Sequence, residues 1–130
     1  MQACIQYSSL NYEISPTLFF EFHGSLASVR EQAELVQSIA TTFGGQRFRW
    51  AEKIEERNQL WHARHNALYA ALALKPGAQA WSTDVCVPVS RLSECIEKTR
   101  LDIDKSSATA TIFGHVGDGN FHVIFLIDPD

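Results

Sequence analysis

The chain has 130 residues, enough for one ordinary domain with its own core but too few for two. Hydrophobic residues make up 45% of it and charged residues 20%, a globular composition that argues against a disordered chain. Lys and Arg number 11 against 15 Asp and Glu, so the formal net charge is -4. An acidic chain without a basic run argues against nucleic acid and anionic membrane surfaces as partners.

The sequence also lacks the signals of membrane insertion and export. Its longest apolar stretch, residues 67–74, is far shorter than the ~20 residues that a membrane-spanning helix needs. No Lys or Arg precedes Arg30, so the start lacks the basic segment of a secretory signal and the Arg-rich pattern of a transit peptide. We therefore expect no membrane span and an intracellular chain, with any leader lying outside these residues.

The first half of the chain predicts two strands and two helices. The aromatic-rich run 17–23 follows a Ser-Pro break and predicts a strand. A capping box at residues 28–31 then starts a helix with apolar residues at helical spacing, which a Gly-Gly pair ends. A short strand over 47–50 and a long helix over 51–74 follow, and a Pro-Gly pair stops the helix.

The second half predicts a strand over 80–87, a helix over 88–104 and two strands over 109–115 and 121–127. The predicted order over residues 1–130 is therefore β-α-β-α-β-α-β-β. Helices that alternate with strands before a terminal hairpin indicate an α+β sandwich, with a largely antiparallel sheet and the helices on one face. A single domain of ferredoxin-like topology fits this order best.

The last predicted strand is apolar on both of its faces. Residues 123–127 are all apolar, so both faces require burial, yet the sequence ends three residues later. Two interpretations stay open: the elements that cover this strand lie outside the chain, or a second copy of the chain covers it. We expect an open sheet here and a possible homo-oligomer through that exposed sheet.

A Gly-His-Val-Gly-Asp-Gly-Asn-Phe-His motif over residues 114–122 is the sharpest local signal. Asp118 and Gly119 between two apolar runs predict a two-residue type I′ turn, which requires positive φ at both central residues. With these two residues at the tip, His115 lies directly opposite His122 across the hairpin. We therefore expect both imidazoles close to the turn and on one face of the sheet.

This histidine pair has two interpretations. Directly opposed β-carbons lie about 4.5–5.5 Å apart, so His115 and His122, on the face of Phe113 and Ile124, are close enough to share one metal ion. Two hydrogen-bonded histidines near a sheet edge are the alternative. A catalytic metal also needs a third protein ligand, and Asp118 is the only close carboxylate by sequence.

Arg64 is a cation within an apolar stripe of the long predicted helix. Burying its guanidinium is costly unless an anion meets it. The stripe leaves three alternatives: an ion pair with a protein carboxylate, a side chain that extends to solvent, or capture of a small ligand carboxylate by the planar guanidinium. The stripe consists of Leu60, Trp61, Arg64, Ala67, Leu68 and Ala71.

Three motifs together resemble a known family. Leu-Trp-His-Ala-Arg-His-Asn at 60–66, Ser-Thr-Asp-Val-Cys-Val-Pro at 82–88 and the motif at 114–122 occur in the order and spacing of the C-terminal domain of FAD-linked oxidases. The resemblance covers residues 17–127 and is closest to the D-lactate dehydrogenase and glycolate oxidase branch of the vanillyl-alcohol oxidase superfamily. It implies a ferredoxin-like cap over FAD, with hydride transfer from C2 of a D-2-hydroxy acid to the flavin.

The resemblance also implies roles for individual residues. Arg64 would hold the substrate carboxylate, and His115 and His122 would ligate a divalent metal, zinc or manganese. Ser82 stands where the 2-hydroxyglutarate branch has Lys, which favours a monocarboxylate such as D-lactate or glycolate. A cytoplasmic location, or a mitochondrial one in a eukaryote, fits such an enzyme.

The resemblance further implies that this chain is a fragment that is inactive alone. The FAD-binding domain is absent from it, and so is the Glu-His-Gly segment that supplies the third metal ligand and the general base in relatives. We therefore expect no catalytic residue in the chain itself. The alternative is a stand-alone, non-enzymatic ferredoxin-like module that binds a metal or small carboxylate and dimerises through its sheet.

Overall fold

The computed structural model describes residues 1–8 and 12–129, and the chain divides into two compact units. One unit combines Met1–Ser15 with Gln59–Asp130, and the other is Pro16–Asn58. The helices and strands of the described residues identify an α+β fold. They are α1 (Gln2–Ser8), α2 (Leu26–Thr42), α3 (Ile54–His65), α4 (Ala67–Ala73), β1 (Gln79–Cys86), α5 (Val89–Lys105), β2 (Thr109–His115) and β3 (Asn120–Ile127), with a 3-10 turn at Val116–Asp118.

The three strands form one antiparallel sheet in the order β1-β3-β2. β2 and β3 form the hairpin that the sequence predicts, and β1 pairs with the other edge of β3. The last strand in the sequence is therefore the central strand of the sheet.

Helices cover both faces of this sheet, not one face as predicted. α5 packs Leu92 and Ile103 on the face that carries Phe121 and Val123. α4 packs Ala71 on the opposite face, against the next alternate residues of β3. A central strand between two helical layers has to be apolar on both sides, which accounts for its composition.

The prediction of an open sheet at residues 123–127 is therefore wrong. Val123, Ile124 and Leu126 are buried by this chain's own helices. The apolar strand looked unpartnered only because its central position is invisible in the sequence. The observation that suggested a homo-oligomer through the sheet is explained without a second copy.

Two predicted strands, 17–23 and 47–50, do not form in the described structure. The unit that contains them is built around α2, whose N-cap Ser25 accepts a hydrogen bond at its Oγ from the Ser28 amide. Aromatic and β-branched residues favour a strand only where a neighbouring strand pairs with its backbone. The predicted β-α-β-α-β-α-β-β order is accordingly not observed.

The long predicted helix over 51–74 is two helices. Asn66 departs from helical geometry, with φ −90° and ψ 16°, and separates α3 from α4. The buried residues of this helix pair are all alanines, of which Ala67 and Ala71 belong to the predicted stripe, whereas Leu68 of that stripe is exposed. In the described part of the chain, no helix is long and apolar enough to cross a membrane.

The hairpin turn is longer than predicted. Residues 116–119 form the loop, with a 3-10 turn at Val116–Asp118 followed by Gly119 in the left-handed conformation. Gly119 has φ +68°, whereas Asp118 is not among the residues with positive φ. One glycine supplies the single left-handed position, so this loop avoids the cost of placing Asp118 there. As a result, His122 lies opposite Phe113, and His115 lies opposite Asn120.

Gly119 is the first place to test this hairpin. A β-carbon at Gly119 would lie 2.1 Å from the carbonyl oxygen of Val87, whose amide donates to the Gly119 carbonyl at 2.9 Å. We expect Gly119→Ala to destabilise the chain by about 2–4 kcal/mol, the combined cost of a left-handed alanine and a steric clash. Urea denaturation measures this. Gly117→Ala is the matched control, since nothing lies within 4 Å of its added methyl group; equal losses would contradict the explanation.

Ion pairs along α5 predict a dependence of stability on pH. Lys98 lowers the pKa of Glu94 by hydrogen bonding, with a further contribution from Arg91, and Arg100 lowers the pKa of Asp104 in the same way. A carboxyl with a depressed folded-state pKa stabilises the fold above its unfolded pKa, and this contribution is lost as pH falls through the folded value.

We expect the double variant Glu94→Gln/Asp104→Asn to have a melting temperature that falls less steeply below roughly pH 4 than that of the wild type. The effect is small because both carboxyls are exposed to solvent. Thermal melts across this pH range provide the measurement. The control is Glu97→Gln, which removes an exposed carboxyl from the same helix and leaves both ion pairs in place; an equal effect of this variant would mean that the loss of negative charge, rather than of these pairs, is responsible.

Candidate functional site

Arg64, in the last turn of α3, is held against the end of β2 by neutral groups. Its Nη2 donates to the carbonyl oxygen of Gly114 at 2.8 Å, and its Cζ lies 5.4 Å from the centre of the Phe113 ring. No carboxylate among residues 1–8 and 12–129 forms an ion pair with it. Of the three alternatives, the intramolecular ion pair is therefore not formed within the described ranges. There the guanidinium is held by a carbonyl oxygen and an aromatic ring, and no described carboxylate compensates its charge.

The two histidines lie on the same face of the hairpin but are not directly opposed. His122 lies opposite Phe113 on β2 and opposite Asp84 on β1, so His115 is its diagonal neighbour. The imidazole centroids are 6.3 Å apart, and the rings meet edge to face at 85°. The predicted direct pairing is wrong because the loop is two residues longer, but the predicted common face with Phe113 is confirmed by the 5.7 Å contact of its ring with His122.

The donor atoms test whether this pair suits a divalent metal. A tetrahedral metal bound to two imidazoles at about 2.0–2.1 Å would bring the ring centroids to about 5 Å. The observed rings would have to approach by about 1 Å and turn so that both nitrogens point to one place. The donor types and the shared face fit zinc or manganese, whereas the number of ligands does not. Within the described ranges, no group of three or more His, Cys, Asp or Glu side chains is arranged to hold a metal.

The third ligand suggested by sequence, Asp118, does not complete the pair. The backbone carbonyl oxygen of Asp118 accepts a hydrogen bond from the Cys86 thiol, with 3.9 Å between sulfur and oxygen. The Asp118 carboxylate forms no ion pair with either described histidine of the hairpin. A complete metal site would need a ligand from outside the described residues.

Asp84 is a site residue that the sequence did not reveal. Its Oδ1 lies 3.3 Å from Nδ1 of His122 and accepts a hydrogen bond of 2.6 Å from Nδ2 of Asn120. The same Asn120 amide donates to the carbonyl oxygen of Val85 at 3.2 Å. Aspartate is disfavoured inside strands, so its presence in the strand predicted over 80–87 was the one sequence signal that could have indicated a role for Asp84. That His122 is the partner of Asp84 follows from the pairing of β1 with β3, and no local sequence pattern predicts this pairing.

These side chains make one partly open cluster on a single sheet face. Phe113 connects it, because Arg64 lies over its ring and His122 meets its edge. His115 is exposed and the others are partly or largely accessible, so a small molecule can reach the cluster. A fixed cation that shares the Phe113 ring with an imidazole can bind a small anion through its free N–H donors.

Comparison with known proteins assigns the chain to a family. The family described as "FAD linked oxidases, C-terminal domain" matches residues 1–130. A protein of Danio rerio named "Probable D-lactate dehydrogenase, mitochondrial" is 50% identical over 130 residues, which is 100% of this chain and 26% of that protein. "D-lactate dehydrogenase [cytochrome], mitochondrial" of Arabidopsis thaliana is 45% identical over 119 residues, 92% of this chain and 21% of the relative.

A bacterial relative extends the comparison. The glycolate oxidase subunit GlcD of Escherichia coli K12 is 31% identical over 114 residues, which cover 87% of this chain and 22% of that protein. The chain thus spans about a quarter or less of the length of the curated relatives that it matches. The match over all its residues shows that this chain belongs to the FAD-linked oxidase C-terminal domain family.

Proposed function

We propose that this chain forms part of the substrate domain of an FAD-dependent D-2-hydroxy-acid dehydrogenase that acts on D-lactate or glycolate. The family match and the names of the relatives support an FAD-linked oxidoreductase. The observation that carries the proposal is Arg64, whose guanidinium is fixed by neutral partners and lacks a protein carboxylate among the described residues. Mitochondrial relatives favour a mitochondrial location if the source is a eukaryote, and a cytoplasmic one otherwise.

Arg64 is proposed to bind the substrate carboxylate. One of its nitrogens is already bonded to the Gly114 carbonyl, and this bond orients the planar group while other N–H donors remain for a ligand. The Phe113 ring covers one side of the guanidinium and limits its hydration. A carboxylate that meets this group gains a charge-assisted hydrogen bond without first displacing a carboxylate of the described residues.

His115 and His122 are proposed to hold zinc or manganese together with a ligand from outside the described residues. When bound, the metal would polarise the substrate oxygens, and FAD would accept the hydride from C2 of the hydroxy acid. Neither imidazole is assigned as the general base, and the residues that bind FAD are not identified in this chain. The contribution of the chain is to bind and orient the substrate.

Ser82 supports a monocarboxylate substrate. It lies on the same sheet face as the histidines, opposite Ile124, and its hydroxyl donates to the neighbouring Thr83 carbonyl at 3.4 Å. A short neutral side chain at this place supplies no cation for a second carboxylate. D-lactate and glycolate each carry only one.

The alternative of a non-enzymatic module that dimerises through its sheet has lost its structural support. That interpretation relied on an uncovered β3, and both faces of β3 are packed against helices of the same chain. Binding of a small carboxylate remains common to both proposals, so the intact flavoenzyme is the appropriate system for a test.

In the intact enzyme that contains this chain, we expect Arg64→Ala to lower kcat/KM for D-lactate or glycolate by roughly 30-fold or more. The loss corresponds to about 2–5 kcal/mol for a charged contact removed from a desolvated site. Arg64→Lys should recover only part of it, because an ammonium lacks the planar bidentate geometry. Steady-state kinetics and melting temperatures measure the two effects separately.

Arg91→Ala is the matched control, since Arg91 lies on α5 and pairs with Glu94 on the helix surface. It should leave kcat/KM unchanged. If Arg64→Ala instead unfolds the enzyme, or lowers activity no more than Arg91→Ala does, Arg64 has a structural role and the proposal fails.

We expect the 130-residue chain to bind Zn²⁺ weakly through His115 and His122, because a two-ligand site has to be completed by water. NMR titration with Zn²⁺ should perturb these two imidazoles first, and His122→Ala should weaken binding at least about tenfold. His62→Ala, on the exposed side of α3, is the control. Equal perturbation of His62 and His65 would show adventitious binding and would remove the metal from the proposed function.

A further inference from the structure

A carboxylate and an amide adjoin His122 in an arrangement that the proposed function does not use. Asp84 and His122 are directly paired across β1 and β3, and Asp84 Oδ1 lies 3.3 Å from His122 Nδ1. The Asn120 amide donates to that same Oδ1 at 2.6 Å and to the Val85 carbonyl at 3.2 Å. Asn120 thus ties the carboxylate to the backbone of its own strand.

We propose that Asp84, held by Asn120, is a positioning residue for His122 that keeps the neutral imidazole protonated on Nδ1 and leaves Nε2 as its free donor atom. This inference rests on the proposed role of His122 as a metal ligand. A ligating histidine generally directs its other ring N–H to a carboxylate or carbonyl, and this contact fixes both the tautomer and the ring orientation.

The geometry around the ring supports Asp84 rather than another group as the acceptor. Besides Asp84, the described contacts of the His122 ring are with the side chains of Phe113 and His115. Phe113 offers no hydrogen-bond acceptor oxygen, and His115 meets the ring edge to face at 85°. The 3.3 Å between Asp84 Oδ1 and His122 Nδ1 is an ion-pair distance just beyond the usual hydrogen-bond range, and a turn of the imidazole that brings its Nδ1–H into line with the carboxylate would complete the hydrogen bond.

Burial decides how large the effect should be. The His122 side chain is 26% exposed, whereas that of Asp84 is 73% exposed, so water competes for the carboxylate. Loss of a partner of this kind typically lowers metal affinity 10–100-fold, and the exposure of Asp84 places the expected loss near the lower end, about tenfold.

The primary test is the tautomer of His122 in the 130-residue chain without metal. Side-chain ¹⁵N NMR in mildly alkaline buffer distinguishes Nδ1–H from Nε2–H in the neutral ring. We expect Nδ1–H in the wild type and a shift toward Nε2–H, the form that predominates in free histidine, in Asp84→Ala. Asp84→Asn should preserve the wild-type tautomer in part, because its amide oxygen still accepts a hydrogen bond.

The second readout is the affinity of the same variants for Zn²⁺. It should fall about tenfold in Asp84→Ala and less in Asp84→Asn. Asn120→Ala should give an intermediate loss, because it frees Asp84 without removing it. Asp118→Asn is the matched control, since it removes one negative charge from the same hairpin without an ion pair to His122.

Two results would overturn the inference. One is an unchanged His122 tautomer in Asp84→Ala, with the fold intact by amide NMR. The other is an Asp118→Asn effect on affinity as large as that of Asp84→Ala, which would reduce the role of Asp84 to general electrostatics. If the wild type binds no Zn²⁺ at the pair but its tautomer depends on Asp84, the positioning stands and the proposed metal role fails.

Discussion

The central position of β3 is the constraint on which the rest of the structure depends. Because β1 and β2 pair with its two edges, each residue of β3 from Asn120 to Leu126 has a neighbour on both sides. His122 therefore lies between Asp84 and Phe113 in a single row across the sheet. Alternate residues of β3 enter two separate hydrophobic clusters, one under α5 and one under α4. A slip of one residue would exchange these faces, so burial of the core also fixes the register of the site.

The hairpin depends on a glycine that serves both the fold and the site. A β-carbon at Gly114 would lie 2.5 Å from Cα of Phe121 and 2.3 Å from the carbonyl oxygen of Asn120, so β2 tolerates no side chain there. The carbonyl of the same Gly114 accepts the hydrogen bond from Arg64 at 2.8 Å. Gly114 therefore has two roles: it lets β2 lie close to β3, and its carbonyl oxygen orients the Arg64 guanidinium. A substitution at this position would disturb packing and site together.

Local sequence patterns predicted the helices and strands whose bounds are set by their own turn residues and apolar runs. They did not predict which strands pair, or whether a strand forms at all where it needs a neighbouring strand. α5 and the three strands begin and end within one residue of their predicted ranges, because turn residues and apolar runs are local features. Residues 17–23 have an equally strong β pattern but form no described strand, since β propensity depends on a pairing neighbour. The shared face of His115 and His122 was predicted from a two-residue turn, and it is kept because the observed loop is longer by two residues, an even number. The contact of Asp84 with His122 was not predicted, because it joins strands that are far apart in the sequence.

The two charged side chains of this cluster, Asp84 and Arg64, differ in how far their charges are compensated, and this difference affects which ligands the sheet face can bind. The carboxylate of Asp84 is engaged by the Asn120 amide and lies beside the His122 imidazole, so part of its charge is already compensated. Among the described residues, the partners of Arg64 are a carbonyl oxygen and an aromatic ring. An incoming anion is thus repelled less by the engaged carboxylate and attracted by a cation whose charge no described protein group neutralises. This asymmetry supports the proposal that the face binds a small carboxylate rather than a cationic ligand.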